Sequence, residues 1–200
     1  MRSPARLVIM ARQPLFGTGK RRLAAQCGEL AAWQFQRRNL DRLVRKLGND
    51  PRWRLELALT PHSAHAPIPP ARHFPRHRQQ AGDLGQRILG ELFPPHRKTI
   101  PGPCLVIGAD IAAVRPRHIL RALRAVHRCD WVLGPAEDGG FWLIGTRVNR
   151  RKAPDFTGVP WGTAQAFEIV RQRLPGSCAL VDRLYDVDEA SDLERWRHEG

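Results

Sequence analysis

A short apolar run near the start of the sequence, closed by a glycine-containing loop, constrains the fold more than any other feature. Residues 6–11 read RLVIMA, and the loop that follows carries Pro14, Gly17 and Gly19. Such a run is typical of a strand buried on both faces, and a Pro/Gly loop after it favours a turn. The opening therefore predicts a buried strand, a loop and then a helix.

The same alternation of strand and helix patterns continues along the 200 residues of the chain. Strands alternating with helices predict an α/β fold, with a mostly parallel sheet between two helical layers. The length suits one well-buried core, so residues 1–200 are predicted to form a single domain. The expected helices lie around residues 40–47, 84–92, 119–126, 163–174 and after 188, and the expected strands at 53–59, 104–108, 131–134, 141–145 and 179–184.

Residues 61–82 interrupt this alternation. They carry several prolines and the histidines His62, His65, His73 and His77. Proline can continue neither a helix nor a central strand, so the segment is predicted to be a loop. Histidines in an irregular loop are expected to be exposed and to bind no metal.

The formal net charge of +14 indicates that the ligand is negatively charged. It comes from 33 Lys and Arg against 19 Asp and Glu, and a field of this sign attracts polyanions such as nucleotides, nucleic acid or acidic lipid. The basic residues are spread along the chain, so amino-acid usage alone explains the surplus at least as well as an RNA-binding surface does.

Two kinds of sequence pattern are absent: cysteine motifs, and segments that direct a chain to or across a membrane. The four cysteines form no CxxC pair, so neither a zinc site nor a redox motif is predicted. The sequence shows neither an uncharged apolar stretch of about 18 residues nor a signal-peptide pattern. A cytoplasmic protein without a membrane span is therefore expected.

The loop after the first predicted strand is a candidate phosphate site. Gly17 and Gly19 leave backbone N–H groups accessible, and Lys20, Arg21 and Arg22 add positive charge where the helix begins. The glycines and the lysine do not align with a Walker A loop. A solvated basic helix start explains the same residues about equally well.

Acidic residues at two predicted strand ends are candidate metal ligands. Asp110 follows the apolar run CLVIGA, and Glu137 and Asp138 lie in the segment GPAEDGG. Magnesium and manganese ions prefer carboxylate and phosphate oxygens, so these acids could join a metal to a diphosphate. A helix cap would also explain Asp110, and an Asp-Gly turn would explain Asp138.

A third acidic segment precedes the last predicted helix. It reads Asp186-Val187-Asp188. Because aspartate is among the preferred residues at a helix N-cap, Asp188 is predicted to cap that helix. Asp186 is then the residue of this segment that could face the site.

Four segments, in the same order, resemble a bacterial family of GT-A-like proteins usually labelled glycosyltransferases or nucleotide-diphospho-sugar transferases. The family pattern A-K/R-x-P-x-P-G-x-V-K-T-R-L lies without gaps on residues 11–23, and Q-x-G-x-D-L-G-x-R resembles residues 81–87. The pattern G-P-A-x-D-G-G-Y-x-L-I-G is matched by residues 134–145, and the ending D-V-D-T-P-E-D-L resembles residues 186–193. The likeness covers nearly the whole chain.

The resemblance implies a Rossmann-like GT-A nucleotide-diphospho-sugar transferase fold. It also implies a metal-dependent glycosyltransferase that uses a nucleotide-diphospho-sugar donor and an unknown small acceptor, with Mg²⁺ or Mn²⁺ as the cofactor. On the matching positions, Asp110 is the implied metal ligand and Asp138 and Asp186 are the implied catalytic residues. Either of these two could act as the acceptor base or as a second metal ligand. The implied nucleotide- or substrate-binding residues are Arg12, Gly17, Lys20, Arg22, Asp83, Arg87, Gly139 and Gly140.

Two alternatives to sugar transfer stay open. Nucleotidyltransferases that act on a small phosphorylated or sugar compound share the fold, and a fold does not fix a reaction. The other alternative is a noncatalytic member that binds nucleotides or nucleic acid. Here the family's G-S-D-C-P-x-L reads GADIAAV and its P-W-S-T-D reads PWGTA. These departures predict an altered acceptor preference or a weakened activity.

Overall fold

The computed structural model of the chain describes residues 4–61, 73–94, 102–147 and 153–199. All the strands in these residues join one sheet, in the order β3-β2-β1-β4-β6-β5-β7. Only β6 runs antiparallel to its neighbours. The mostly parallel sheet is therefore confirmed. The strands are β1 (Ala5–Arg12), β2 (Trp53–Thr60), β3 (Arg76–Arg78), β4 (Cys104–Gly108), β5 (Trp131–Pro135), β6 (Phe141–Thr146) and β7 (Cys178–Leu180).

Helices cover both faces of the sheet. On one face α2 and α4 contribute Leu43 and Ile119 to a core with Leu7 of β1, and on the other face α3 and α5 contribute Ile88 and Val170. These three layers confirm the predicted α/β architecture, while a single domain for residues 1–200 stays a prediction. The helices are α1 (Arg21–Cys27), α2 (Glu29–Leu47), α3 (Leu84–Leu92), α4 (Pro116–Val126), α5 (Ala166–Arg173) and α6 (Ala190–Glu199). Among the residues described, no helix has the length and apolar character needed to cross a membrane.

The central strand β1 explains the apolar run that opens the chain. Leu7 and Ile9 pack into the core beneath α2 and α4, whereas Val8 and Met10 pack into the core beneath α3 and α5. A parallel strand with helices on both faces has no solvent-facing side, so its sequence does not alternate with polar residues.

The sheet has a topological switch point between β1 and β4. Strands β2 and β3 lie on one side of β1, and β4 pairs with its other side, from Arg6 opposite Cys104 to Met10 opposite Gly108. In open parallel sheets, ligands bind in the crevice above the carboxyl ends of the two strands at such a point. The fold therefore predicts a ligand site above Met10 and Gly108.

A short strand lies inside the segment that was predicted to be a loop. β3 pairs in parallel with β2 from Leu57 opposite Arg76 onward, so the prediction of a loop throughout residues 61–82 is wrong there. Three residues are too few to show a periodic pattern. His77 of β3 lies 2.8 Å from Glu91, measured from Nε2 to Oε2, and is only partly exposed, whereas an exposed side chain was expected. His62 and His65 fall outside the described residues.

A buried ionic network joins β1, β2 and α3. Arg6 Nε donates to Glu56 Oε2 at 2.9 Å, and Arg6 Nη2 donates to Glu91 Oε2 at 3.0 Å. The three side chains are only 6%, 9% and 4% exposed, respectively. Ions this far from solvent require partners, because an unpaired buried charge is strongly unfavourable. The network accounts for a charged residue at the start of an otherwise apolar strand.

Candidate functional site

The loop between β1 and α1, at the carboxyl end of β1, contains several residues with positive φ values. Gly17 and Gly19 have φ values of 74° and 77°, in the left-handed region that glycine enters freely. Lys20 has a φ of 40° and is the one non-glycine residue with positive φ in the described part of the chain. Such strain persists where surrounding contacts hold it, and it is common at ligand sites.

Two carboxylates hold the side chain of Lys20. Its Nζ lies 2.5 Å from Asp188 Oδ1 and 3.2 Å from Asp110 Oδ1, and the lysine side chain is only 6% exposed. Burial alone lowers the pKa of Lys20, but the charges of Asp110 and Asp188 outweigh it and raise the pKa. The ammonium therefore stays charged between the two acids.

Neither of these aspartates caps a helix. α4 begins at Pro116, well beyond Asp110. α6 begins at Ala190, and Asp192 Oδ2 accepts the backbone N–H groups of Asp188 and Glu189 at 3.0 and 2.9 Å. The prediction of Asp188 as the N-cap is wrong, because its carboxylate pairs with Lys20 while Asp192 satisfies the start of the helix.

Two more carboxylates lie at the same edge. Burial, and then the charges of Asp138 and Asp188, raise the pKa of Asp186 to about 6. Asp138 Oδ1 accepts the backbone N–H of Gly140 at 2.8 Å, which is the turn contact that an Asp-Gly-Gly sequence predicts. The four aspartates at this edge together carry more negative charge than the single positive charge of Lys20 neutralises.

Two clefts open above the switch point, and both are lined by Arg12 and Asp110. The first has a volume of about 290 Å³, lies beside α1 and α2, and is basic. The second, of about 340 Å³, lies between α3, α5 and the start of β6. The first is lined also by Lys20, Arg21, Arg22 and Asp188. The second is lined also by Gln79, Arg87, Asp138, Gly140, Phe141, Trp161 and Asp186.

Three of the residues that the family resemblance implies are absent from the lining of both clefts. Asp83 Oδ1 accepts the backbone N–H of Gln86 at 2.8 Å and caps α3. Gly17 lies at a separate hollow beside Trp33. Gly139 has a φ of 88° and faces Ala164, whose Cα would be 2.5 Å from a Cβ at this position. A direct contact of these three residues with a ligand stays a prediction.

Trp161 gives the second cleft an aromatic wall. Its ring packs edge-on against Phe141 and Phe156, with centroid separations of 6.4 and 6.0 Å. A Cβ on Gly85 would lie 2.6 Å from Trp161 Cζ2, so the tryptophan fits against α3 because residue 85 is glycine. A rigid apolar wall of this kind can orient a small ligand against the nearby acids.

Gln79 is a cleft residue that the sequence analysis missed. Its side chain is buried, and Nε2 donates to the carbonyl oxygens of Ala11 at 3.1 Å and Ala58 at 2.8 Å. These contacts tie the ends of β1 and β2 together beneath the second cleft. A lone glutamine after a three-residue strand has no sequence pattern that would identify this role.

The acids of the switch point fit a divalent cation. Among the described residues, no three His, Cys, Asp or Glu side chains form a group arranged to hold a metal. However, Asp110 and Asp188 already share one cation, the Lys20 ammonium. Magnesium is usually held by one or two carboxylates together with water and substrate phosphates. The arrangement therefore suits a cation that binds together with a diphosphate.

Asp186→Asn is expected to stabilise the metal-free protein above pH 6. The pKa of Asp186 is raised from 3.8 to about 6, so the folded protein binds this proton more tightly than the unfolded chain does. Stability is therefore lost as the pH rises between these values, and asparagine avoids the loss. Because Asp186 is partly exposed and solvent screens its charge, we expect a gain on the order of 1 kcal/mol.

Thermal denaturation at pH 4 and pH 8 with a chelator measures this gain. The difference between Asp186→Asn and the parent should be small at pH 4 and full at pH 8. Asp41→Asn, which changes an acid paired with Arg45 on the surface of α2, is the control and should show no gain at pH 8. Equal melting temperatures of Asp186→Asn and the parent at pH 8 would show that neither burial nor the neighbouring charges disfavour the ionised Asp186 carboxylate.

Sequence comparison relates the chain to a bacterial family. Residues 43–163 match the family described as "Uncharacterized protein conserved in bacteria (DUF2064)". No curated protein matches the sequence.

Structural comparison relates the fold to nucleotide-dependent transferases. A proposed nucleotide-diphospho-sugar transferase from Desulfovibrio desulfuricans G20 superposes with a TM-score of 0.80 at 24% identity, over 94% of this chain and 84% of that one. CMP:2-keto-3-deoxy-manno-octonic acid synthetase complexed with CTP gives a TM-score of 0.55 at 13% identity, over 98% of both chains. Rv0371c from Mycobacterium tuberculosis H37Rv complexed with manganese gives 0.50 at 15% identity, over 99% of this chain and 100% of that one. These likenesses confirm the predicted fold.

Proposed function

Since this chain belongs to the family of uncharacterized proteins conserved in bacteria (DUF2064) and has the fold of nucleotide-diphospho-sugar transferases, we propose that it is a metal-dependent glycosyltransferase. The donor is a nucleotide-diphospho-sugar, and the acceptor is a small molecule. The main support is the convergence of Lys20, Asp110 and Asp188 at the switch point, beside a basic cleft.

The first cleft is suited to the diphosphate of the donor. Arg12, Arg21 and Arg22 line it, and charge-assisted hydrogen bonds from arginine to phosphate are strong and directional. Lys20 lies at the border of this cleft with its charge retained. These cations would stabilise negative charge that develops on the leaving diphosphate.

Asp110 and Asp188 are the residues that would hold Mg²⁺ or Mn²⁺. When bound, the ion neutralises charge on the phosphate oxygens. Because Lys20 contacts Oδ1 of both carboxylates, a bound ion would share these groups with the ammonium or displace it from one of them. The nearest new partner for the ammonium is the diphosphate in the adjoining cleft.

The second cleft is suited to the acceptor. Phe141 and Trp161 form its apolar wall, and Asp138 and Asp186 lie on its acidic side. The raised pKa of Asp186, about 6, is close to neutral pH, where a general base is most effective. Asp186 would accept the proton of an acceptor hydroxyl, while Asp138 fixes the turn at Gly140.

Nucleotidyl transfer is the second candidate reaction. The fold is shared with CMP:2-keto-3-deoxy-manno-octonic acid synthetase complexed with CTP, and the same cations could hold a triphosphate. The two reactions differ in their products: a sugar transferase releases a nucleoside diphosphate, whereas a nucleotidyltransferase releases pyrophosphate.

Thermal stabilisation by a panel of nucleotides and nucleotide sugars, with and without Mn²⁺, tests the proposal. A specific nucleoside diphosphate or its sugar should raise the melting temperature in the presence of Mn²⁺. Saturation at a hundred times Kd corresponds to about 2.7 kcal/mol. A response to any polyanion that disappears in salt would instead support the noncatalytic nucleic-acid-binding alternative.

Arg22→Ala is expected to weaken binding of the best nucleotide by about 1–3 kcal/mol, the range for losing a charge-assisted hydrogen bond. Calorimetry measures the change in affinity. Arg38→Ala, which removes an exposed arginine from α2, is the matched control and should bind like the parent. Unchanged affinity in Arg22→Ala would exclude this side chain from the phosphate site.

A further inference from the structure

The loop between β1 and α1 points two large apolar side chains outward. Leu15 is 41% exposed and Phe16 is 61% exposed. They lie in a tight turn in which Thr18 donates to the Leu15 carbonyl oxygen from its backbone N–H at 3.2 Å and from Oγ1 at 2.8 Å. Trp33 Nε1 also donates to the Pro14 carbonyl oxygen at 3.0 Å. The loop is therefore held in a conformation that keeps Leu15 and Phe16 in solvent.

The apolar surface continues onto α2. The ring of Phe16 packs edge-on against Trp33, with a centroid separation of 6.1 Å. Leu30, one helical turn before Trp33 and on the same side of the helix, is 56% exposed. We call Leu15, Phe16, Leu30 and Trp33 the apolar patch. Three of the five large exposed hydrophobic side chains in the described residues lie in it, which distinguishes it from the scattered exposure normal for a soluble protein.

Basic side chains border the apolar patch. The Arg37 guanidinium lies 5.5 Å from the Trp33 ring centroid. Arg21 lines the same shallow hollow as Trp33, and Glu29 is the acidic residue in that lining. The patch thus combines apolar groups with positive charge in a protein of net charge +14.

We propose that the apolar patch docks on the surface of an anionic lipid bilayer. Phe16 and Leu15 would enter the boundary between headgroups and acyl chains, and Arg37 would lie against the lipid phosphates. Arg21 adds positive charge where the apolar patch adjoins the first cleft. Aromatic and leucine side chains favour this boundary when cations flank them. Anionic lipid attracts arginine side chains that lie near its surface.

The shape and chemistry of the apolar patch favour a bilayer over single-stranded RNA. Phe16 is a central residue of the turn that the Thr18–Leu15 hydrogen bond closes, and Leu15 is its first residue. Both side chains are exposed, so they can insert into a fluid surface. Single-stranded RNA could stack on Phe16 and contact the arginines, but it gives no counterpart to Leu15 and Leu30. Docking here would also bring the first cleft close to the bilayer, because Arg21 borders both.

Sedimentation with vesicles tests the docking proposal. The parent should bind vesicles of phosphatidylcholine mixed with phosphatidylglycerol far better than vesicles of phosphatidylcholine alone. Phe16→Ser should lower the binding by about tenfold or more, since burial of a large apolar side chain is lost. Leu180→Ser is the matched control, because Leu180 is 47% exposed on β7, and it should bind like the parent.

Two further variants separate insertion from simple charge attraction. Phe16→Leu keeps an apolar side chain and should retain most of the vesicle binding. Arg37→Gln should weaken binding at low salt and matter less at high salt. Unchanged melting temperatures would show that the variants fold, and unchanged nucleotide affinity would keep this test separate from the proposed transferase activity.

Several outcomes would overturn the docking proposal. One is equal vesicle binding by Phe16→Ser and Leu180→Ser, which would show that any attraction is electrostatic only. Another is loss of RNA binding, rather than vesicle binding, in Phe16→Ser. A third is self-association of the parent that Phe16→Ser abolishes without an effect on vesicle binding, which would assign the apolar patch to contacts between copies.

Discussion

Asp110→Asn is expected to remove most of the gain in nucleotide affinity that Mg²⁺ or Mn²⁺ gives the parent protein. Asparagine keeps the size of the side chain but loses the charge that a hard divalent cation requires. We expect the affinity with metal to fall about 10- to 100-fold, corresponding to 1.5–3 kcal/mol for a lost interaction with a charged group. The fold should persist, because Lys20 keeps its contact with Asp188.

Calorimetric titration of nucleotide, first with Mn²⁺ and then with chelator, measures this effect. Asp41→Asn is again the control, since its carboxylate pairs with Arg45 on the surface of α2. A full Mn²⁺ effect in Asp110→Asn would remove Asp110 from the metal site. A parent protein without any Mn²⁺ effect would favour the noncatalytic alternative.

Arg6→Met is expected to destabilise the protein by about 3–5 kcal/mol, the range for breaking a buried ion pair by removing one of its members. Methionine fills much of the same space, but it removes the guanidinium that pairs with both Glu56 and Glu91, whose side chains are only 9% and 4% exposed. At acidic pH the loss of stability caused by Arg6→Met should be smaller, because protonated carboxyl groups need no counter-charge.

Urea denaturation measures the free energy of unfolding of Arg6→Met at neutral and acidic pH. Arg54→Met makes the same chemical change at an exposed position of β2 and is the control, with an expected effect within about 0.5 kcal/mol. A loss of stability no larger than that of Arg54→Met would show that the buried network contributes little.

The fold was largely predictable because its strongest signals are local. The apolar run of β1 follows from burial on both faces, and the spacing of Leu40, Leu43 and Leu47 follows from one face of α2 packing on the sheet. β3 was missed because its three residues owe their conformation to pairing with β2, and such tertiary pairing leaves no mark in a short sequence window.

From the sequence, a candidate site residue could be predicted only where it directly follows a predicted strand. Asp110 was identified in this way, but its pairing with Lys20 and Asp188 joins distant parts of the chain. Asp188 was predicted to cap α6, but the carboxylate that accepts backbone N–H groups at the start of this helix is that of Asp192. The phosphate, metal and catalytic roles assigned through the family resemblance, including the metal role of Asp110, stay predictions.

One departure from the family pattern has a local explanation. In PWGTA, Gly162 replaces a serine and has a φ of 79°, in the left-handed region that glycine adopts without strain. Thr163, retained from the pattern, donates from Oγ1 to the Pro160 carbonyl oxygen at 2.8 Å. The loss of Ser and Asp here therefore changes the rim of the second cleft without loss of the turn itself. Nothing in the structure explains the change from G-S-D-C-P to GADIA.

The contact between Lys20 and Asp188 also dictates when the site can form during protein synthesis. These residues are separated by 168 positions in the sequence, and the ribosome releases the chain from its N-terminus onward. A nascent chain that has emerged as far as β6 contains Lys20 and Asp110 but not yet Asp188. Asp188, the second carboxylate that contacts Lys20, emerges more than forty residues after β6. Ligand affinity would therefore appear late on the ribosome, after the central strands have joined.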